Sequence, residues 1–275
     1  GLCIMSGQCG VSLFATWARP DPTMAWWTPE PTDSLYASNY MAEYRGMVKA
    51  LVDHHVPFDL MPSRLLTGGL LSGYDVVVAP SLEALSDSEN LALSEFVSSG
   101  GRLIFTGNRP GALTEKGLVR PAALFSQINA AAAGACSTVP VGTGEMVWCN
   151  QSLGKNYLVN DDPAAFTEIG TQLGSAKDAV LQTDAGTGLY FEVYSTANNT
   201  AVHAVNYKGA DGTFSVIPAT FNLTVETGTK SIRRVVQTSP AFPDPVELAF
   251  VTINGKTTFK AENVGTWTLF ILEYY

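Results

Sequence analysis

The chain has few charged side chains, and most of its charges are negative. Only 15% of its 275 residues are Asp, Glu, Lys or Arg, and the formal net charge is −9 with a pI near 4.8. No basic cluster is available to neutralise phosphates, so the sequence argues against nucleic acid as a partner. No apolar run approaches the roughly 18 residues of a membrane-spanning helix. The 46% of hydrophobic residues predicts a globular protein with a sizeable core.

Metal-binding motifs are equally scarce. There is no C-x-x-C, and the only histidines, His54, His55 and His203, show no ligand spacing, so neither a metal nor a cofactor is predicted. The cysteines instead suggest two local disulfides, although four cysteines allow three pairings. The suggested pairs are Cys3 with Cys9 and Cys136 with Cys149.

Three N-x-S/T sequons accompany the even number of cysteines. Their asparagines are Asn150, Asn198 and Asn222. Sequons of this kind also arise by chance, but together with paired cysteines they favour an oxidising, extracytoplasmic compartment. We therefore expect a secreted, extracellular glycoprotein.

The first part of the chain alternates strands with helices. Between Tyr74 and Pro110 the pattern reads as strand, helix, glycine stop and strand, with a capping box from Ser86 to Glu89 at the helix start. The apolar residues of this helix are expected to face the sheet; they are Leu91, Leu93, Phe96 and Val97. Further upstream, Asn39 is a candidate N-cap for another helix. The alternation predicts a mostly parallel, doubly wound sheet.

The pattern of hydrophobic and turn residues changes near residue 176. From there to Tyr275, short alternating runs are separated by turn signals such as Asn254-Gly255, a pattern typical of an antiparallel β-sandwich. We therefore expect two domains, an α/β domain over residues 1–175 and a β-sandwich over residues 176–275.

Several segments resemble the non-catalytic C-terminal region of glycoside hydrolase family 42 β-galactosidases and related putative glycosidases. The similar segments are Tyr44–Leu51, Val56–Asp59, Tyr74–Ser81, Gly100–Leu103 and the strand Val202–Tyr207. The resemblance implies a three-layer α/β domain of the flavodoxin or class I amidotransferase type, followed by a small antiparallel β-sandwich. It also implies a catalytic (β/α)8 barrel upstream of Gly1 or on a partner chain, and assembly as a trimer.

Catalytic residues are not predicted within the chain itself. An amidotransferase-type triad would need a cysteine at the turn near Gly107, and none occurs there. Glu83, Asp87 and Glu89 fall at the expected rim of the sheet, but a helix start explains the last two acids better than glycoside hydrolysis does. His54-His55 is read as the end of a helix, and His203 as a packed strand residue.

An aromatic loop after the first strand is the strongest candidate for binding. Indole rings can stack on sugars while neighbouring acids and arginine bond hydroxyl groups, or the same loop can contact another subunit or fold inward. The candidate residues are Trp17, Arg19, Asp21, Trp26, Trp27 and Glu30.

Together these features predict an accessory or assembly region of a secreted carbohydrate-active glycoside hydrolase. Its expected partners are a carbohydrate, a catalytic barrel domain or chain, and further copies of itself. The alternative is a structural or adhesive extracellular glycoprotein without enzymatic activity. A free-standing hydrolase ranks third because a nucleophile is missing.

Overall fold

A computed structural model describes most of the chain. The described residues are 11–15, 31–62, 66, 69–107, 109–114, 116–121, 125, 136–208, 216–240 and 244–275. None of the helices within these ranges is both long and apolar enough to cross a membrane.

The first sheet has six strands and mixed direction. Its strands are β1 (Val11–Ala15), β2 (Phe58–Pro62), β3 (Val76–Pro80), β4 (Arg102–Thr106), β5 (Cys136–Val141) and β6 (Gly144–Cys149). They lie in the order β2-β1-β3-β4-β6-β5. The pairs β1-β3, β3-β4 and β4-β6 are parallel, whereas β5 and β6 form an antiparallel hairpin at one edge.

The part of the chain that the structure describes has four α-helices in this region. They are α1 (Pro31–Asp53), α2 (Asp87–Ser98), α3 (Leu153–Asn160) and α4 (Pro163–Leu173). The predicted capping box of α2 is confirmed, because the Ser86 hydroxyl accepts from the Glu89 backbone while the Glu89 carboxylate accepts from the Ser86 backbone. The predicted start of α1 at Asn39 is wrong, since the helix already begins at Pro31.

The core of this region lies around α2 and the central strands. Leu93, Phe96 and Val97 of α2 are buried with Leu103 and Phe105 of β4, as the helical spacing predicts. Leu91 is the exception: its side chain is 58% exposed, so the expectation that it faces the sheet is wrong.

The second half of the chain forms two antiparallel sheets that share one core. The four-stranded sheet has the order β13-β14-β10-β7 and the five-stranded sheet the order β12-β11-β15-β9-β8. The strands are β7 (Leu181–Thr183), β8 (Leu189–Ser195), β9 (Asn199–Asn206), β10 (Ala219–Glu226), β11 (Ile232–Thr238), β12 (Val246–Leu248), β13 (Phe250–Ile253), β14 (Lys256–Val264) and β15 (Trp267–Tyr274). Inward-facing residues of both sheets, such as Phe221 and Phe270, pack together as in a β-sandwich.

The predicted fold class is wrong for the chain as a whole. Strands make up 42% of the structure and form three sheets, whereas helices make up 26%. The alternation of strand and helix suggested a three-layer, amidotransferase-like α/β fold. Among the described residues, the two strands that follow β4 instead pair with each other as an antiparallel hairpin. A mostly β structure replaces the expected three-layer fold.

Contacts divide the chain into two compact units. Of the described residues, those within 11–50 and 59–174 form one unit, and those within 51–58 and 175–275 form the other. The predicted domains, residues 1–175 and 176–275, are each one continuous segment of the sequence. This division stays a prediction.

Candidate functional site

The turn after β4 occupies the position where parallel sheets commonly carry chemistry. Gly107 has a left-handed φ of +90°, and a Cβ there would lie 2.8 Å from the Ser81 hydroxyl oxygen. Its carbonyl oxygen accepts from the Trp148 indole N–H at 2.7 Å, and its N–H donates to the Gln151 carbonyl oxygen at 3.0 Å. The turn is thus closely packed around a glycine that offers no nucleophilic side chain.

A buried carboxylate lies beneath this turn. The Glu43 side chain comes from α1 and is 0% exposed. It accepts from the Thr106 hydroxyl at 2.5 Å, from the Lys155 backbone N–H at 2.8 Å and from the Gly154 backbone N–H. Burial nevertheless raises the pKa of Glu43 above its usual range, although these donors oppose the shift.

Glu43 acts as a remote N-cap for α3. The residue at the cap position, Ser152, makes no side-chain hydrogen bond to the helix within the described structure. The first N–H groups of a helix have no partner of their own, and here those of Gly154 and Lys155 point at the Glu43 carboxylate. A carboxylate at this end also complements the helix dipole. The sequence gives no sign of this role, because Glu43 and Lys155 are far apart along the chain.

Two glycines allow the close approach that this contact needs. A Cβ on Gly46 would lie 1.8 Å from the Gly154 carbonyl oxygen, and one on Gly154 would lie 2.3 Å from the Glu43 carbonyl oxygen. Because α1 and α3 meet through their backbones at this point, neither position has space for a side chain.

The acids predicted near the rim mostly have structural partners. Glu89 belongs to the capping box, and Asp87 binds the largely buried Arg120 at 2.8 Å. Glu83 is mostly buried, and desolvation raises its pKa while Arg109, 3.9 Å away, lowers it. These three contacts explain the acids through helix capping and ion pairing.

A disulfide closes the β5–β6 hairpin. Cys136 and Cys149 lie opposite each other in the ladder and are bonded to each other. The Glu168 carboxylate lies nearby and completes a group of potential metal ligands. Disulfide sulfurs are not thiolates, so this group does not favour a metal in the oxidised chain.

His203 and His55 are both packed against other residues of the chain. His203 lies in β9, where its Nδ1 accepts from the Trp267 indole N–H at 3.3 Å beside the Tyr194 ring. This confirms its expected role as a packed strand residue. His55 is buried, and its two ring nitrogens lie 3.0 and 2.9 Å from the carbonyl oxygens of Leu189 and Ala185. It therefore contacts carbonyl groups in the second half of the chain, which its position after α1 does not suggest.

The aromatic loop predicted to bind lies outside the described residues. This holds for all six candidates, Trp17, Arg19, Asp21, Trp26, Trp27 and Glu30, as well as for Cys3 and Cys9. Their contacts and pairing stay predictions. The sequon asparagines Asn150, Asn198 and Asn222 are all described.

Three exposed apolar residues lie in α2 and in the segment just before Arg120. Leu91, Leu118 and Val119 are 58%, 63% and 73% exposed. The ion pair of Asp87 and Arg120 joins these two segments; Leu91 follows Asp87 by one helical turn, and Val119 directly precedes Arg120. We call these three residues the α2 patch. The exposure of Leu91 is not predictable from the sequence, because Leu91 fits the helical spacing of the core.

Comparisons with known proteins point to one family. A sequence model described as the β-galactosidase trimerisation domain matches residues 23–213. The fold is similar to α-L-fucosidase isoenzyme 2 from Paenibacillus thiaminolyticus, with a TM-score of 0.65, 13% identity and coverage of 97% of this chain and 49% of that one. It is also similar to a catalytic mutant of Gan42B, a GH42 β-galactosidase from G. stearothermophilus, with a TM-score of 0.57, 11% identity and coverage of 96% and 40%.

A β-galactosidase from Bacillus circulans sp. alkalophilus gives a TM-score of 0.52 at 12% identity, with coverage of 92% of this chain and 41% of that one. At such identities the likeness concerns the fold alone. The chain spans less than half the length of each of these three structures. No curated protein matches the sequence.

The family match extends over most of the chain and includes α1, five of the six strands of the mixed sheet and α3. It confirms the resemblance to a non-catalytic region of glycoside hydrolase family 42. The chain belongs to the family of β-galactosidase trimerisation domains.

Proposed function

We propose that this chain is the assembly region of a longer, exported, carbohydrate-active glycoside hydrolase. The observation that carries the proposal is the trimerisation-domain match over residues 23–213. The short span of the chain relative to the three similar structures fits a region of a larger enzyme. A catalytic barrel would then belong to the same polypeptide or to a partner chain. The Cys136–Cys149 disulfide supports an oxidising compartment.

The α2 patch is the surface through which we expect copies of the chain to associate. Exposed leucine and valine side chains gain free energy when a partner removes them from water. The ion pair of Asp87 with Arg120 leaves the centre of the patch without net charge, although the chain is acidic overall. A neighbouring copy can therefore approach this surface without meeting a net charge of its own sign there.

The charges around the patch also favour a second copy as the partner. Lys116 lies two residues before Leu118, and Glu95 lies one helical turn after Leu91. A cyclic trimer joins different surfaces of neighbouring copies, so opposite charges on one chain can pair between copies.

Light scattering coupled to gel filtration tests this proposal. The 29.3 kDa chain should elute as a species of about three times that mass. Leu91→Glu combined with Leu118→Glu should shift it to the monomer, because each buried leucine contributes roughly 1.5–3 kcal/mol, or together about 100-fold or more in association. A monomeric parent chain at high concentration would contradict the proposal.

A matched control is available on another surface. Val251 and Ile253 of β13 are 60% and 65% exposed, close to the values for Leu91 and Leu118. Val251→Glu combined with Ile253→Glu adds the same charge and should leave the mass unchanged. Equal dissociation by both double variants would show a general charge effect and would contradict assignment of the interface to the α2 patch.

The aromatic loop is our proposed contact for carbohydrate or for a neighbouring subunit. Trp26→Ala combined with Trp27→Ala should weaken assembly or sugar binding more than it lowers the melting temperature. Titration of oligosaccharides into the parent and variant chains, followed by calorimetry, separates the two contacts. A large loss of thermal stability with unchanged binding and assembly would instead indicate that both tryptophans belong to the core.

The mass of the native polypeptide separates the enzyme region from a structural glycoprotein. An upstream extension of roughly 300 residues or more would provide room for a catalytic barrel. A native polypeptide close to 29.3 kDa before glycosylation, with no tightly bound catalytic chain, would favour the structural or adhesive alternative.

A further inference from the structure

We propose that Asn198 and Asn222 carry N-linked glycans in the folded protein and that Asn150 does not. The three asparagines share the N-x-S/T pattern, but the structure places them in different surroundings. This inference rests on the proposed export of the chain, because the modifying enzymes work in the secretory pathway.

Asn198 lies in the turn between β8 and β9, where its side chain is exposed. Its backbone is fixed, since its N–H donates to the Thr196 hydroxyl at 3.2 Å and its carbonyl oxygen accepts from the Tyr274 N–H at 3.0 Å. The sequon hydroxyl of Thr200 is buried and bonds Ser195 and Tyr274. The main chain of the turn is therefore fixed by hydrogen bonds, while the Asn198 side chain extends into solvent. A glycan at this position displaces no packed side chain.

Asn222 lies on the outer face of the four-stranded sheet. Its neighbours in β10, Phe221 and Leu223, are buried, so the alternation of the strand directs Asn222 and Thr224 outward. One amide N–H of Asn222 donates to an Asp184 carboxylate oxygen at 2.7 Å. An asparagine amide has two N–H bonds, so the other one can be replaced by a sugar while this contact stays.

The same face gives a glycan at Asn222 an apolar surface to cover. Val251 of β13 lies opposite Thr258 of β14, which in turn lies opposite Thr224. Val251 therefore shares the outer face with Asn222, two strands away or roughly 10 Å across the sheet. Val251 and Ile253 are more than half exposed on a strand at the sheet edge, a position that soluble proteins usually protect. A glycan of several sugars spans that distance.

Asn150 lies in a more confined place. It directly follows the fully buried Cys149 of the disulfide and is itself half-buried. The adjacent Gln151 is fixed, because its carbonyl oxygen accepts from the Gly107 N–H at 3.0 Å and its own N–H donates to the Cys149 carbonyl oxygen at 2.7 Å. A sugar on Asn150 would have to be accommodated within this packed turn, and the folded state would be destabilised.

The proposed modification needs a lipid-linked oligosaccharide diphosphate as its co-substrate. The asparagine amide nitrogen attacks the anomeric carbon of that donor. A C–N bond forms, the bond between the anomeric carbon and the phosphate oxygen breaks, the amide loses one proton, and the lipid diphosphate leaves. No oxidant or reductant takes part.

The two glycans would also restrict where copies can associate. Both acceptors belong to the β-sandwich, and the α2 patch belongs to the other compact unit. Sugars on the sandwich would keep its outer sheet face in solvent and leave the α2 patch open to a second copy. Removal of the glycans by an enzyme leaves the α2 patch unchanged, so the oligomer should keep its number of copies and lose only the mass of the sugars.

Site mapping in a eukaryotic secretory host tests the inference. The folded, secreted chain is treated with a peptide-N-glycosidase, which converts each occupied asparagine to aspartate, and the peptides are analysed by mass spectrometry. We expect conversion at Asn198 and Asn222 and none at Asn150. Occupancy of Asn150 in the folded fraction, or absence of sugar at either of the other two sites, would overturn the assignment.

Matched variants of the sequon threonine exclude a folding artefact. Thr224→Ala removes the sequon without changing the bond between Asn222 and Asp184, and it should abolish the sugar at Asn222. Thr224→Ser keeps the sequon and should retain the sugar. Failure of the proposed export would give a different result. Protein from its native source would then have no sugar at any site, whereas the occupancy pattern in the secretory host would still test the assignment of the three asparagines.

Discussion

Glu43→Ala is expected to destabilise the unit that contains the mixed sheet by about 3 kcal/mol or more. The substitution removes the acceptor shared by the Thr106 hydroxyl and the backbone N–H groups of Gly154 and Lys155. Each buried donor left without a partner costs roughly 1–3 kcal/mol, and relief from burying a carboxylate offsets part of the sum. For a unit of this size the melting temperature should fall by roughly 6–12 °C.

Glu43→Gln is the matched control for this prediction. One carboxylate oxygen of Glu43 faces the Thr106 hydroxyl, and the other faces the Lys155 N–H. An amide can satisfy both, because its nitrogen can donate to the hydroxyl oxygen while its oxygen accepts from the helix N–H. The stability of this variant should stay within about 1 kcal/mol of the parent. A loss as large as that of the alanine variant would refute the capping role.

The pH dependence of stability provides an independent check. Burial raises the pKa of Glu43 above its ordinary value of 4.5, so the folded state binds the proton more tightly than the unfolded state. The stability from this group is full below pH 4.5 and is lost as the pH rises through the folded-state pKa. Urea unfolding followed by circular dichroism between pH 4 and 8 should show this decline in the parent but not in Glu43→Gln. Identical pH profiles would contradict the reasoning.

The other predictions concern packing, a buried imidazole and the disulfide. Gly154→Ala should destabilise the chain strongly, because its Cβ would overlap backbone atoms of α1. Gly73→Ala is the control, because a Cβ there meets no atom within 4 Å; in thermal unfolding its free energy of unfolding should stay within about 1 kcal/mol of the parent's. His55→Leu should cost about 2 kcal/mol or more in urea unfolding, because two carbonyl oxygens lose their contacts, and a change below about 0.5 kcal/mol would contradict this. Cys136→Ser combined with Cys149→Ser should cost about 3 kcal/mol by chain entropy, and no change in melting temperature would show that the bond does not restrain the unfolded chain.

Local patterns in the sequence predict local structure well in this chain. The capping box at Ser86 needs residues only three positions apart, and the structure contains it. The Asn254-Gly255 turn joins β13 to β14 as its residue types suggest. Each of these features depends on neighbours in sequence, which explains why the residues predict them.

Features that depend on distant residues could not be predicted in the same way. The fold class was wrong because the helical alternation before residue 107 does not reveal that β5 and β6 pair as a hairpin. The exposure of Leu91 was missed because spacing identifies a helix face but not the partner that covers it. Glu43 reads as one acid of an ordinary surface helix, and only the approach of α3 makes it a buried cap.

The cap on α3 also constrains the order in which the chain can fold. Glu43 and Lys155 are 112 residues apart, so the contact closes a long loop and cannot form early from local structure alone. A helix of eight residues is too short to persist in water without such support. On the ribosome, α1 is synthesised long before α3 and has to remain available for it. A nascent chain that ends before residue 153 would therefore expose the Glu43 carboxylate and the backbone around Gly46. These groups become covered only when α3 is synthesised and packs against them.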